Sequence, residues 1–297
     1  AECLRQAGVT TVRVERTLPF LFAHQLQQAG ITLNYDVDYG VLQRRVKNDE
    51  ELEHLRAVQK ITEATMEMAC SLIARAPADA EGVLQHEGAA LTSERVRQLI
   101  SRFVLDHDCT TLHDSIVVTV PHVADCHHFG TGPLRKDLPV IVDIFPTHNH
   151  THYCGDCTRT VVNGDVSDIV RDMHACVVRA NAAGCAALQP GTTGQAVHEA
   201  VAAVIREGGY SMGAPTSEKD EEWIGMRHGT GHGIGLDVHE PILLATGGGE
   251  ILEREVFTVE PGLYSAIHGG VRVEDMVAVT ATGHENFNEL HSELDWR

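Results

Sequence analysis

The stretch Arg227-His228-Gly229-Thr230-Gly231-His232-Gly233-Ile234-Gly235-Leu236-Asp237-Val238-His239-Glu240 carries glycine at every second position from 229 to 235. Four glycines so close together exclude a stable helix. In an extended segment they let another backbone, or a ligand, come close. The alternation is not the G-x-G-x-x-G of dinucleotide-binding folds, and no G-x-x-x-x-G-K-[ST] phosphate loop occurs in the chain. His228 and His232 stand four apart, but Gly229 sits where a zinc-protease helix would carry Glu. His232 and His239 stand seven apart, so the segment must bend for both to reach one site.

The surrounding pattern is mixed. Asn48 or Asp49 is expected to cap a helix reaching about Arg75, with Leu52, Leu55, Val58, Ile61, Met68 and Leu72 at helical spacing. Further helices are expected over 93–105, 168–188 and 193–207. Strands are expected at 116–120 and 140–145, with 156–162 as the hairpin partner of the latter, and then at 257–260, 271–274 and 277–280. No regular βαβ alternation joins them, which predicts an α+β domain with a largely antiparallel sheet. Residues 1–46 hold only a β-like segment at 9–14 and a helix at 19–29, too little for a domain.

Composition narrows the function. The chain has 297 residues, 42 acidic and 23 basic, and a formal charge of −19. Such a surface argues against nucleic acid and against anionic membranes. No apolar run approaches the roughly 20 residues of a membrane helix. Ala1-Glu2-Cys3-Leu4-Arg5 lacks the basic-then-apolar order of a secretory signal, and without an initiator Met a fragment or processed form is expected. Eight cysteines in no scaffold spacing predict free thiols and a cytoplasmic location. The C-x-x-C of Cys154 and Cys157 has no second pair nearby and reads as incidental. Nineteen histidines cluster between 107 and 152 and between 228 and 239, an indication of chemistry.

Two acid pairs accompany the glycine stretch. Asp143 ends the run Val140-Ile141-Val142, and Asp156 follows thirteen residues later. Glu260 ends Phe257-Thr258-Val259, and Glu274 follows fourteen residues later. A single acid in an apolar strand usually marks a buried salt bridge. Four of them must be neutralised by Arg159, by Arg272 or by bound cations, because burial without a partner costs several kcal/mol. Two Asp, two Glu and a His suit a pair of hard or borderline divalent ions, held about 3.5–4 Å apart by bridging carboxylates.

These three groups, in this order, resemble the pita-bread metallopeptidases, in the aminopeptidase P and prolidase branch. The resemblance covers about Val46 to Thr282. It implies a pita-bread (creatinase/aminopeptidase) fold, a curved, largely antiparallel sheet flanked by helices. It implies two divalent ions, manganese before cobalt, zinc or iron. Asp143 would chelate one ion, His232 and Glu260 the other, and Asp156 and Glu274 would bridge. His239, in Gly-Leu-Asp-Val-His-Glu, would steady the tetrahedral intermediate, and His228 would shape a proline pocket. A further site histidine would be His127 in preference to His128. Residues 1–45 would be the C-terminal remnant of a smaller N-terminal domain, with 46–297 the catalytic domain, and a homodimer is the family expectation.

The reading is a hydrolase for the peptide bond before proline, in Xaa-Pro dipeptides or at the N-terminus of longer peptides. A hydroxide bridging the ions would attack the carbonyl. Glu260 would shuttle the proton and His239 would hydrogen-bond the oxyanion. Arg272, on the strand face of Glu274, would orient that carboxylate or bind a substrate carboxylate. A metal-free creatinase-like hydrolase, a methionine aminopeptidase and a non-catalytic binding module on the same fold rank below it. The loop bearing His148, His150 and His152 reads as a solvated hairpin tip before a second metal site.

Overall fold

The computed structural model describes residues 1–37, 39–126, 128–215 and 222–297. The chain divides into two compact units, Ala1–Arg45 and Val46–Arg297. The first holds two short helices, Glu2–Gln6 and Phe20–Gln28, and two parallel strands, Thr11–Val14 and Thr32–Tyr35.

The second unit opens with helix α1 (Asp49–Arg75). Asn48 caps it: its side chain accepts the Glu51 N–H at 2.9 Å, and Glu51 accepts the Asn48 N–H at 2.7 Å. Two orphan donors are satisfied reciprocally, and Asp49, Glu50 and Glu51 oppose the helix dipole. Helices α2 (Ser93–Asp106), α3 (Asp168–Ala187) and α4 (Gly194–Glu207) start at Thr92, Ser167 and Thr193, each accepting a backbone N–H three residues on.

Three strands, β1 (Ile116–Val118), β2 (Pro139–Ile144) and β3 (Cys157–Val162), form one antiparallel sheet in the order β1-β2-β3. Helices α1 and α2 cover it, through Met66, Ile73, Val96 and Ile100 against Val142 and Val161. The second half contains β4 (Gly231–Gly233), β5 (Glu240–Leu244), β6 (Val256–Val259), β7 (Gly262–Ser265), β8 (Gly269–Arg272), β9 (Asp275–Thr280) and β10 (Gly283–Asn286). These pair as β5-β4-β6-β9-β10, while β7 and β8 join a second sheet. Helix α3 packs on β7 and β8 through Met173 and Val177 against Leu263 and Val271. No helix among the described residues is long and apolar enough to cross a membrane.

Glu274 does not lie within a strand, contrary to the expected strand at 271–274. Val259 is opposite Asp275 and Gly262 opposite Arg272. The register is therefore continuous across a gap holding Glu260 and Pro261 on one side and Val273 and Glu274 on the other. Pro261 has no N–H to give the ladder, so the long hairpin opens there. The backbone of Thr158 fills part of the gap by accepting the Glu274 N–H at 3.0 Å, which stitches β3 to the second half.

Candidate metal centre

The four acids and His232 meet around that break. Asp143 stands on β2, in register with Thr158 of β3. Asp156 lies just before β3 and is fixed by α1: Gln59 accepts its N–H at 3.0 Å and donates to its carbonyl at 2.7 Å. The Thr158 hydroxyl donates to Glu274 Oε2 at 2.6 Å and accepts from Arg272 Nε at 3.2 Å.

Ligand atoms of Asp156, His232 and Glu274 all lie within 4.8 Å of one another. His232 Nε2 is 3.9 Å from Asp156 Oδ2 and 3.7 Å from Glu260 Oε1. Its Nδ1 is 3.1 Å from the Gly233 carbonyl, an oxygen that only accepts, so Nδ1 carries the proton. In the neutral ring Nε2 is then a bare donor pair aimed at the acids. Burial, followed by the neighbouring His239, lowers the His232 pKa to about 3, so the ring is neutral at working pH.

Burial and mutual repulsion raise the acids. Asp156 is pushed well up by desolvation, then by Glu274, Asp143 and Glu260. Glu274 is pushed well up by desolvation, then by Glu260 and Asp143. Glu260 rises to about 7, by desolvation held in check by Arg272. Asp143 Oδ2 accepts from Arg272 Nη2 at 2.6 Å, while Oδ1 is buried with no hydrogen-bond partner among the described residues. An orphaned carboxylate oxygen beside three destabilised acids and a bare imidazole nitrogen is a donor set that fits divalent cations.

Of the two arginines considered as neutralisers, Arg159 is not one. It pairs with Asp275 at 2.8 Å, because successive side chains on β3 alternate: Thr158 reaches Glu274 and Thr160 the Arg272 backbone, while Arg159 points to the other face. Arg272 reaches Glu274 only through Thr158. Its remaining donors go to Asp143, to the Tyr264 hydroxyl at 3.0 Å and to the Cys126 carbonyl at 3.4 Å.

The histidines separate by position. His239 is exposed, and its ring centroid lies 4.3 Å from that of His232 at 61°. The bend over 235–239 brings the two together. His228 donates from Nδ1 to the Gly229 carbonyl at 2.7 Å and meets the Tyr264 hydroxyl through Nε2 at 2.7 Å. His127 lies outside the described residues. His128 accepts the Gly130 N–H at 2.9 Å and stacks on His122 at 4.4 Å. His150 and His152 are exposed at the hairpin tip.

Gln59, Thr158 and Tyr264 escaped the sequence reading. Each acts through a neighbour, and none carries a spacing signal that marks it. The centre opens into a cleft of about 680 Å³ whose walls include Leu112, Phe129, Phe145, Val238 and Leu243.

The profile of metallopeptidase family M24 matches residues 53–281. The chain belongs to metallopeptidase family M24. An uncharacterized peptidase of Staphylococcus haemolyticus is 28% identical over 262 residues, 87% of this chain and 67% of that protein. A probable dipeptidase, PepE, of Mycobacterium tuberculosis is 35% identical over 181 residues, 60% of this chain and 45% of that one. The matched segments thus span from under half to about two thirds of these M24 relatives. Among solved structures, an Xaa-Pro dipeptidase from Bacillus anthracis superposes with a TM-score of 0.81 at 26% identity, over 99% of this chain and 76% of that one. This M24 chain has the pita-bread fold and sits in the aminopeptidase P and prolidase branch, as its motifs led one to expect.

Proposed function

We propose that this metallopeptidase is a two-metal hydrolase cleaving the peptide bond before proline. The observation that carries the reading is the convergence of Asp156, His232 and Glu274 within 4.8 Å, flanked by Glu260 and by an Asp143 oxygen with no hydrogen-bond partner among the described residues. Asp143 would hold one ion, His232 and Glu260 the other, with Asp156 and Glu274 shared. Divalent ions bound there supply Lewis acidity and a nucleophilic water ionised near neutral pH.

The chain's own residues do the rest. Glu260, a ligand beside the nucleophile and 3.7 Å from His232 Nε2, is placed to accept a proton and return it to the leaving nitrogen. His239, exposed beside His232, donates a hydrogen bond to the developing oxyanion. His228 is oriented by Tyr264 and sits at the cleft wall, where it shapes the proline pocket; His127, outside the described residues, is assigned with it to orienting the substrate. Arg272 is assigned to holding Asp143 and Tyr264, since its donors go to these two, to the Thr158 hydroxyl and to the Cys126 carbonyl. The apolar walls shelter the substrate from water. Eight free cysteines support a reducing, cytoplasmic setting.

The test is a panel of Xaa-Pro, Xaa-Pro-Yaa and Xaa-Ala substrates after chelation and defined reconstitution. Chelation is expected to abolish hydrolysis, and Mn²⁺ or Co²⁺ to restore it for the proline substrates. Full activity in a verified metal-free preparation would overturn the reading, as would equal turnover of Xaa-Ala for the proline preference.

A further inference from the structure

We propose that Lys47 is a positioning residue of this site: its buried ammonium holds Glu240, and Glu240 fastens the turn at 235–239 that presents His239 to the cleft. The proposal rests on the role given to His239 above.

Lys47 and Glu240 lie 193 residues apart, yet Nζ stands 3.0 Å from Oε2 and the two side chains are 3% and 0% exposed. Glu240 opens β5 opposite Gly233, so residues 234–239 form the loop of the β4–β5 hairpin. The second oxygen, Oε1, accepts the Leu236 N–H at 3.1 Å and the Asp237 N–H at 3.4 Å. A single carboxylate therefore ties the lysine to the loop backbone.

Gly235 makes room for it. A Cβ at 235 would lie 2.7 Å from Glu240 Oε2, so the absent side chain is the space the carboxylate occupies. This accounts for the last of the alternating glycines. On the other side, Leu236, Asp237 and His239 are exposed and line the cleft. Ile234 and Val238 pack on the core and the Gly235 carbonyl accepts the Cys154 N–H at 2.9 Å, while the exposed residues 236 and 237 between them are held from beneath by Glu240.

The anchor is itself tied to the fold through its backbone. The Lys47 N–H donates to the Arg254 carbonyl at 3.0 Å, and the Arg254 guanidinium donates back to the Lys47 carbonyl. Burial pulls the Lys47 pKa down while Glu240 pulls it up. A buried pair of this kind gives little net stability over an apolar replacement. Its place under the His239 loop is what a positioning role explains.

The experiment compares Lys47→Met/Glu240→Leu, His239→Ala and the triple variant at saturating Mn²⁺. The double variant removes both charges and the loop acceptor together. It is expected to bind as much metal as wild type and to lose up to about 10²-fold in kcat, with KM moving by about threefold or less. Adding His239→Ala should then cost little more, because both changes disable one group. In the metal-free protein, the His239 ring resonance, identified by its loss in His239→Ala, should shift in the double variant, and that of His228 should not.

Wild-type kcat with an unmoved His239 resonance overturns the proposal. Losses that multiply in full in the triple variant overturn it too. Less bound metal at saturation, with kcat per site unchanged, would assign the pair to His232 and overturn it as well. If His239→Ala alone retains wild-type kcat, the catalytic reading of His239 falls, and the resonance shift then decides the positioning claim. Should the double variant fail to fold, Glu240→Gln, which drops the charge facing Lys47, is read by the same resonances.

Discussion

His232 and His239 are seven residues apart, with ring centroids 4.3 Å apart, and they differ in exposure and partners. His232 is buried with Nε2 facing the acids, whereas His239 is exposed at the cleft. His232→Ala is expected to lose or weaken one ion, seen by elemental analysis. His239→Ala is expected to keep both ions and to lose about 10²–10³ in kcat, with a smaller change in KM. Metal loss in His239→Ala with full retention in His232→Ala would mean the two roles are exchanged. Asp156→Asn is expected to abolish activity and lower metal occupancy, because a neutral amide is a poor bridge between cations. Wild-type occupancy and rate in that variant would show that Asp156 does not bridge. The residue types were legible from the chain, since acids in apolar strands demand partners. The partner of each was not: Asp143 found Arg272, and Arg159 went to Asp275.

At the scale of elements, the glycine stretch explains itself only once β4 is set against β6. A Cβ at Gly231 would stand 1.9 Å from the Thr258 carbonyl oxygen. That contact is with backbone, so β4 would have to move. Gly231→Ala is expected to destabilise the protein by about 1–3 kcal/mol or more. It should also weaken metal binding, since His232 is the next residue. Gly249→Ala, where no atom lies within 4 Å, serves as the control. Equal melting temperatures and metal affinities for the two variants would show that the strand tolerates the extra carbon. Helix boundaries were readable to within a residue or two, because caps and periodicity are local. The expected strand over 271–274 ended early, because Pro261 on the opposite strand interrupts the ladder.

For the whole molecule, three acids with raised pKa values, Asp156 and Glu274 buried and Glu260 half-buried, make metal-free stability depend on pH. For Glu260 the folded value is about 7, against an ordinary value of about 4.5. The folded state then holds more protons than the unfolded state between these values. The contribution to stability is present in full below about 4.5 and is lost as pH rises through about 7. Asp156 and Glu274 act in the same direction. Bound cations favour the ionised acids, so the stabilisation by metal should grow with pH. The expected result is a gap in Tm between Mn²⁺-loaded and metal-free protein that is wider at pH 8 than at pH 5.5. A gap that narrows over this interval would contradict a centre built from raised carboxylates.

What the chain settles alone is local or ordered along it: where helices start, which strands are apolar, that the glycine stretch is extended, and the order of acids and histidines that marks the M24 family. Capping, periodicity and glycine sterics act over a few residues, so they are written in a few residues. Tertiary structure alone decided which groups meet. The opening of the long hairpin at Glu260 and Glu274, the clamp of Gln59 on Asp156 and the pairing of Lys47 with Glu240 all join distant segments. Neutralising a buried charge depends on which surfaces abut, and that is fixed by the packing of sheets and helices rather than by spacing along the chain.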